Sequence, residues 1–97
     1  MKKDAKARSC RKRVCFRLVE AEAESVAVAG DFNQWDLNRH ALKKKSGGTW
    51  EKIVFLDPGS YEYKFFVDGQ WRMDPANRSE CLNRYGTRNN VLVVPGA

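Results

Sequence analysis

The sequence predicts an all-β domain, a sandwich or barrel of short antiparallel strands. Three observations lead there. Apolar residues recur at every second position along several short runs. Turn signals separate these runs, among them Ser46-Gly47-Gly48, Asp57-Pro58-Gly59 and Asp68-Gly69. No convincing helix appears, since the helix-compatible residues 21–24 are too few to stand alone and read as a connection. Pattern by itself does not separate sandwich from barrel.

In chain order, residues 14–19 form a strand with Val14, Phe16 and Leu18 on one face and Cys15, Arg17 and Val19 on the other. Residues 25–29 form a second strand, stopped by Gly30. Residues 31–42 are polar and turn-rich and predict a loop that carries Trp35, with Phe32 tucked in as core. Residues 43–48 end in a flexible turn, and residues 50–56 form a strand in which Trp50 is structural. The clearest strand is 61–67, with Tyr61, Tyr63, Phe65 and Val67 on one face and Glu62, Lys64 and Phe66 on the other. Asp68-Gly69 suits a two-residue hairpin turn, so residues 70–73 return antiparallel and Trp71 pairs with Phe66. Asp74-Pro75 ends that return, residues 76–88 read as a long irregular connection, and residues 90–94 are the last strand.

Composition narrows the function. Ninety-seven residues make one domain. Cys10, Cys15 and Cys81 are odd in number and lack a CxxC pair, which argues against a disulfide scaffold or zinc site and for reduced, cytoplasmic thiols. No metal or cofactor is expected. The longest apolar stretches are four residues, such as 53–56 and 91–94, so no membrane span is expected, and the N-terminus lacks the apolar centre of a secretory signal. Residues 1–13 hold seven of the 18 Lys and Arg against one of the 12 acidic residues, Asp4, which leaves 11 of each sign in the remainder. The charge thus belongs to a basic, disordered tail over residues 1–12, and the folded domain, residues 13–97, is neutral beyond Arg13. A neutral body argues against a phosphate backbone as the main ligand.

A platform for a neutral ligand is visible. The hairpin puts Lys64 and Trp71 on the same, less buried face. A sugar ring offers C–H groups on its flat side, on which an indole stacks, and hydroxyls around its rim, to which Lys, Asn and Thr hydrogen-bond. Trp35 sits in a loop, where binding residues concentrate. Residues 85–90, Tyr-Gly-Thr-Arg-Asn-Asn, read either as a turn or as a rim of hydroxyl-binding groups.

The runs Val26-Ala27-Val28-Ala29-Gly30-Asp31-Phe32-Asn33-Gln34-Trp35 and Pro58-Gly59-Ser60-Tyr61-Glu62-Tyr63-Lys64-Phe65-Phe66-Val67-Asp68-Gly69-Gln70-Trp71, then Asp74-Pro75 and Gly86-Thr87-Arg88-Asn89-Asn90, resemble carbohydrate-binding module family 48. That family includes the glycogen-binding domain of the AMP-activated protein kinase β subunit and the N-terminal domains of isoamylases and branching enzymes. The resemblance spans about residues 13–95. It implies an immunoglobulin-like early-set β-sandwich that binds α-1,4-linked glucan without catalysis. By the same resemblance, Trp35 and Trp71 stack on glucose units while Lys64, Thr87 and Asn89 hydrogen-bond them. The kinase branch carries Leu before the Gly-Thr where this chain has Tyr85, either a third stacking surface or an obstruction, and the connection after Asp74-Pro75 is about one residue longer here.

Other functions lack parts. A glycosidase needs two carboxylates flanking the scissile bond, and Asp31, Asp36, Asp68 and Asp74 each have a turn or loop-end reading. His40 is the only histidine and has no evident nucleophile partner. Single-stranded nucleic-acid binding on aromatic platforms is a rival, separable by its steep salt dependence. The main alternative is a protein-docking adaptor of the same fold that recruits or regulates a glycogen-metabolising enzyme or kinase, with Phe66 as a candidate contact if uncovered.

Overall fold

A computed structural model describes residues 11–96. The basic-tail expectation falls mostly on residues 1–10, outside the described residues, and Lys12 already opens the first strand. Eight strands follow in order: β1 Lys12–Val19, β2 Val26–Gly30, β3 Lys43–Lys44, β4 Thr49–Leu56, β5 Gly59–Val67, β6 Gln70–Arg72, β7 Glu80–Leu82 and β8 Arg88–Val94. They build two antiparallel sheets, β1-β4-β3 and β2-β5-β8-β7, with β6 paired to β5.

The two faces of each strand explain the packing. Phe16 and Leu18 of β1 and Trp50, Val54 and Leu56 of β4 point inward from one sheet. Val26 and Val28 of β2, Tyr63, Phe65 and Val67 of β5, and Val94 of β8 meet them from the other. Phe65 and Val28 are fully buried at the centre. Trp50 is core, and its indole N–H donates to the Glu20 carbonyl at 3.0 Å, so the polar edge of the ring is satisfied inside. Phe32 packs against the same cluster, its ring 5.3 Å from that of Phe16.

β5 organises the second sheet. It pairs with β2 through residues 63–67, with β8 through residues 59–63 and with β6 through residues 65–67. The β5–β6 hairpin has the expected register, Val67 opposite Gln70 and Phe66 opposite Trp71. Its turn takes positive φ at both central residues, 48° at Asp68 and 85° at Gly69, the twist-matched geometry of tight hairpins. The Asp68 carboxylate also accepts from the Glu24 and Ser25 amides at 2.9 and 2.8 Å, tying the turn to the β1–β2 connection.

The chain departs from the sequence reading between Ala76 and Arg88. Residues 80–82 form β7, paired to β8 with Cys81 opposite Asn89. Three residues are too few to display a period, and the pairing is imposed by the open amides and carbonyls of the β8 edge. The stretch before β7 is pinned from inside. The buried Tyr63 hydroxyl donates to Asp74 Oδ2 at 2.7 Å and accepts from Asn77 Nδ2 at 3.0 Å. Buried Asn90 accepts from the Asp74 amide and donates to the Asn77 carbonyl. Burial, with the neighbouring Asp74 carboxylate, pushes the Tyr63 phenol well above its usual range, so it stays a neutral donor.

Candidate functional site

The outward face of the β2-β5-β8-β7 sheet, with the loop after β2, encloses a cleft of about 800 Å³. Trp35, Lys64, Trp71, Tyr85, Thr87 and Asn89 all line it, together with Asp31, Glu62, Leu82, Asn83 and Arg84. The six residues singled out in the sequence therefore meet at one place, although they come from four separate segments.

The two tryptophans form one aromatic corner. Their ring centroids are 6.0 Å apart with planes at 67°, an edge-to-face contact. Trp71 is 46% exposed and rests on Phe66, whose ring centre lies 4.9 Å away. Phe66 is thereby half covered and acts as the support beneath Trp71; it is not an open docking contact.

Trp35 is placed by the turn at the end of β2. A short 3₁₀ turn, Asp31–Asn33, leads into Gln34 and Trp35, which both take left-handed φ, 54° and 58°. Such values disfavour side chains with a Cβ by roughly 1–2 kcal/mol per residue, so the surroundings must hold the loop there. The Trp35 amide donates to the Gly30 carbonyl at 3.0 Å, and the Trp35 indole N–H donates to Asp31 Oδ1 at 3.1 Å. The other Asp31 oxygen accepts from the Glu62 amide at 2.8 Å, which fastens the ring to β5. Inside the turn, fully buried Asn33 accepts from the Gly30 amide. Gly30 is required for close approach: a Cβ there would lie 2.5 Å from the Glu62 carbonyl oxygen and 2.8 Å from Tyr63 Cβ.

The polar wall is built around Asn83, which sequence reading missed. Its Oδ1 accepts from the Tyr85 and Thr87 amides at 2.9 and 3.1 Å. Its Nδ2 donates to Thr87 Oγ1 at 2.8 Å and to Asn89 Oδ1 at 3.0 Å. All four hydrogen-bonding positions of the amide are thus used to shape the β7–β8 turn. The signal was present: Asn83 followed three residues later by Gly86, at φ 85°, is a turn signature.

Unspent capacity remains on this wall. Thr87 Oγ1 accepts from Asn83 and from Lys64 Nζ at 3.3 Å, so its own O–H is left as a donor. Lys64 keeps further N–H groups beyond that bond. Asn89 donates to Glu62 Oε1 at 2.9 Å and accepts from Asn83, leaving one amide hydrogen and one lone pair. Tyr85 is 80% exposed beneath the Arg84 guanidinium, 5.9 Å from its ring, and exposed Leu82 adds an apolar patch beside it. The lining carries two carboxylates, Asp31 and Glu62, and two cations, Lys64 and Arg84, so the cleft has no net charge.

The acidic residues weighed for catalysis are engaged locally. Asp31 and Asp68 hold the contacts above, Asp36 Oδ1 accepts from the Asn38 amide, and Asp74 accepts from Tyr63 and the Ala76 amide. Among the described residues no cluster of three or more His, Cys, Asp or Glu could hold a metal ion. None of their helices is long and apolar enough to cross a membrane.

Comparison with known proteins places this architecture. A family model described as the glycogen recognition site of AMP-activated protein kinase matches residues 14–96. Protein PTST homolog 2, chloroplastic, of Arabidopsis thaliana is 38% identical over 72 residues, 74% of this chain and 13% of that protein. The 5'-AMP-activated protein kinase subunit beta-2 of Homo sapiens is 37% identical over 71 residues, 73% of this chain and 25% of that protein. Protein PTST, chloroplastic, of Arabidopsis thaliana is 42% identical over 77 residues, 74% of this chain and 26% of that protein. The chain thus spans a quarter or less of the length of most of these relatives. With the motifs, the two-sheet fold and the family match in agreement, the chain belongs to the family of the glycogen recognition site of AMP-activated protein kinase.

Proposed function

We propose that this domain, residues 13–97, is a non-catalytic α-glucan-binding module that holds glycogen, starch or maltooligosaccharide in the cleft between the tryptophan corner and the β7–β8 turn. The observation that carries the reading is the pairing of two cleft indoles, Trp71 exposed and Trp35 half-buried, with spare hydroxyl-binding groups on one uncharged cleft. Trp35 and Trp71 stack on the C–H faces of glucose units. Lys64, Thr87 and Asn89 hydrogen-bond the rim hydroxyls, and exposed Tyr85 offers a third stacking surface. The module performs no chemistry, consistent with carboxylates already committed to backbone and side-chain bonds. Two stacked rings and a few bonds in competition with water give a dissociation constant of roughly 10 µM to 1 mM, suited to a polymer that presents many sites. Free thiols at Cys15 and Cys81 favour a reducing compartment such as the cytoplasm; two of the relatives are named chloroplastic. One relative is by name a kinase subunit, which supports an enzyme partner brought to the same polymer.

Calorimetric titration with maltoheptaose, β-cyclodextrin and a cellooligosaccharide tests the proposal. The two α-glucans should bind in the stated range and the β-linked chain at least about tenfold more weakly, a difference of about 1.4 kcal/mol. Raising salt from about 50 to about 500 mM should leave the affinity unchanged, since no counterions are released. Retention of an oligonucleotide in a salt-dependent manner, without α-glucan binding, would overturn the reading.

A further inference from the structure

The turn that presents Trp35 depends on one buried amide, and that amide depends on a histidine. Asn33 Oδ1 accepts from the Gly30 N–H at 3.0 Å, which fixes which end of the amide faces which way. Nδ2 then faces the Val28 carbonyl at 3.2 Å and His40 Nδ1 at 2.8 Å. An amide nitrogen only donates, so His40 Nδ1 must accept, and the neutral ring carries its proton on Nε2. An imidazolium would set N–H against N–H at that contact.

His40 is held to this arrangement from several sides. Its carbonyl accepts from the Val28 amide at 3.0 Å, and the Phe32 ring lies 5.7 Å from its imidazole. The charged groups that face it are both cations, Lys52 on β4 and Arg39 on its own loop. Partial burial, then Lys52 and Arg39, keep the imidazole below its ordinary value of 6.5.

We propose that His40 is a positioning residue for Trp35, acting through Asn33, and that a proton on His40 releases the Asn33 latch and weakens glucan binding. The proposal rests on glucan being the ligand of the cleft. Loss of the latch frees the Gly30 amide and removes the restraint on two residues in left-handed backbone, which persist only where the surroundings over-determine them. The Asp31 contact that orients the indole then has no fixed turn behind it. Above the ordinary imidazole pKa the ring is neutral and the latch intact. As pH falls through the depressed value in the folded protein the latch opens, and affinity drops with the fraction of molecules still closed. The limiting slope for one proton is about tenfold per pH unit.

The test uses the whole chain, labelled with nitrogen-15, from about pH 7.5 down through the midpoint that the His40 ring protons report. Maltoheptaose affinity is measured alongside the Trp35 indole N–H resonance and the His40 ring protons, for the natural protein and for His40→Asn. The Asn side chain places a non-titrating acceptor near the position of Nδ1. At the midpoint read from the His40 ring protons the natural protein should have lost about twofold in affinity, and the Trp35 indole should shift with that same midpoint. His40→Asn should be flat in both readouts, and His40→Gln replaces it should the Asn variant not fold. Identical pH profiles for natural and variant proteins would overturn the proposal. So would a Trp35 resonance that ignores the His40 titration. Absence of maltoheptaose binding at every pH would instead sink the glucan reading, while the indole resonance would still decide the latch.

Discussion

Trp71→Ala removes the more exposed of the two indoles in the cleft. An aromatic side chain can bury up to about 250 Å², and Trp71 is 46% exposed, which leaves on the order of 100 Å² for a ligand to cover. A sugar shielding roughly half of that contributes about 1.5 kcal/mol at about 25 cal/mol per Å², or about tenfold in affinity. The remainder of the ring lies against Phe66 and Trp35, so truncation also loosens the corner, and the total should reach about 1–3 kcal/mol. Calorimetric titration with maltoheptaose reads the loss, and thermal melting by circular dichroism reports whether the sandwich is intact. A variant that stays folded and binds within about twofold of the natural protein, a few tenths of a kcal/mol, would refute the reasoning, because a ligand-bearing ring cannot be removed at no cost.

Gly30→Ala drives a Cβ to 2.5 Å from the Glu62 carbonyl oxygen, and because both sides of the clash are backbone or core, it should destabilise by about 1–3 kcal/mol or more. In a domain of this size that lowers the melting temperature by roughly 5–20 °C, and a melt within about 2 °C of the natural protein would contradict it. Asn83→Ala strips four hydrogen bonds from the β7–β8 turn and should weaken maltoheptaose binding about tenfold, with a smaller loss of stability, since the turn is exposed and water can replace part of what is lost. Equal affinity in that variant would mean that Thr87 and Asn89 do not need to be held in place.

Strands with one buried face were legible because their period is set by the core. Phe16 and Leu18 on β1 and Tyr63, Phe65 and Val67 on β5 alternate in the sequence as they do in burial. The hairpin was legible because Asp68-Gly69 specifies both turn type and register. β7 was hidden because its order comes from the β8 edge and from the buried bonds of Tyr63, Asn77 and Asn90, none of which leaves a periodic trace. The aromatic and polar residues of the cleft could be named from motifs, but what holds them could not. Asp31 under Trp35, Asn83 behind Thr87 and Asn89, and the Asn33–His40 contact join residues 4, 6 and 7 apart through side chains whose directions only the folded chain defines. The left-handed backbone at Trp35 was likewise invisible, since aromatic residues rarely adopt it.

Glucan binding in this cleft requires glucose rings lying against both indoles. Nuclear Overhauser contacts between maltoheptaose and the assigned tryptophan rings test this most directly. Sugar C–H protons should show contacts to Trp35 and Trp71 in the same complex and none to buried Trp50. Contacts to neither cleft indole, or to residues on the outer face of the β1-β4-β3 sheet instead, would contradict it.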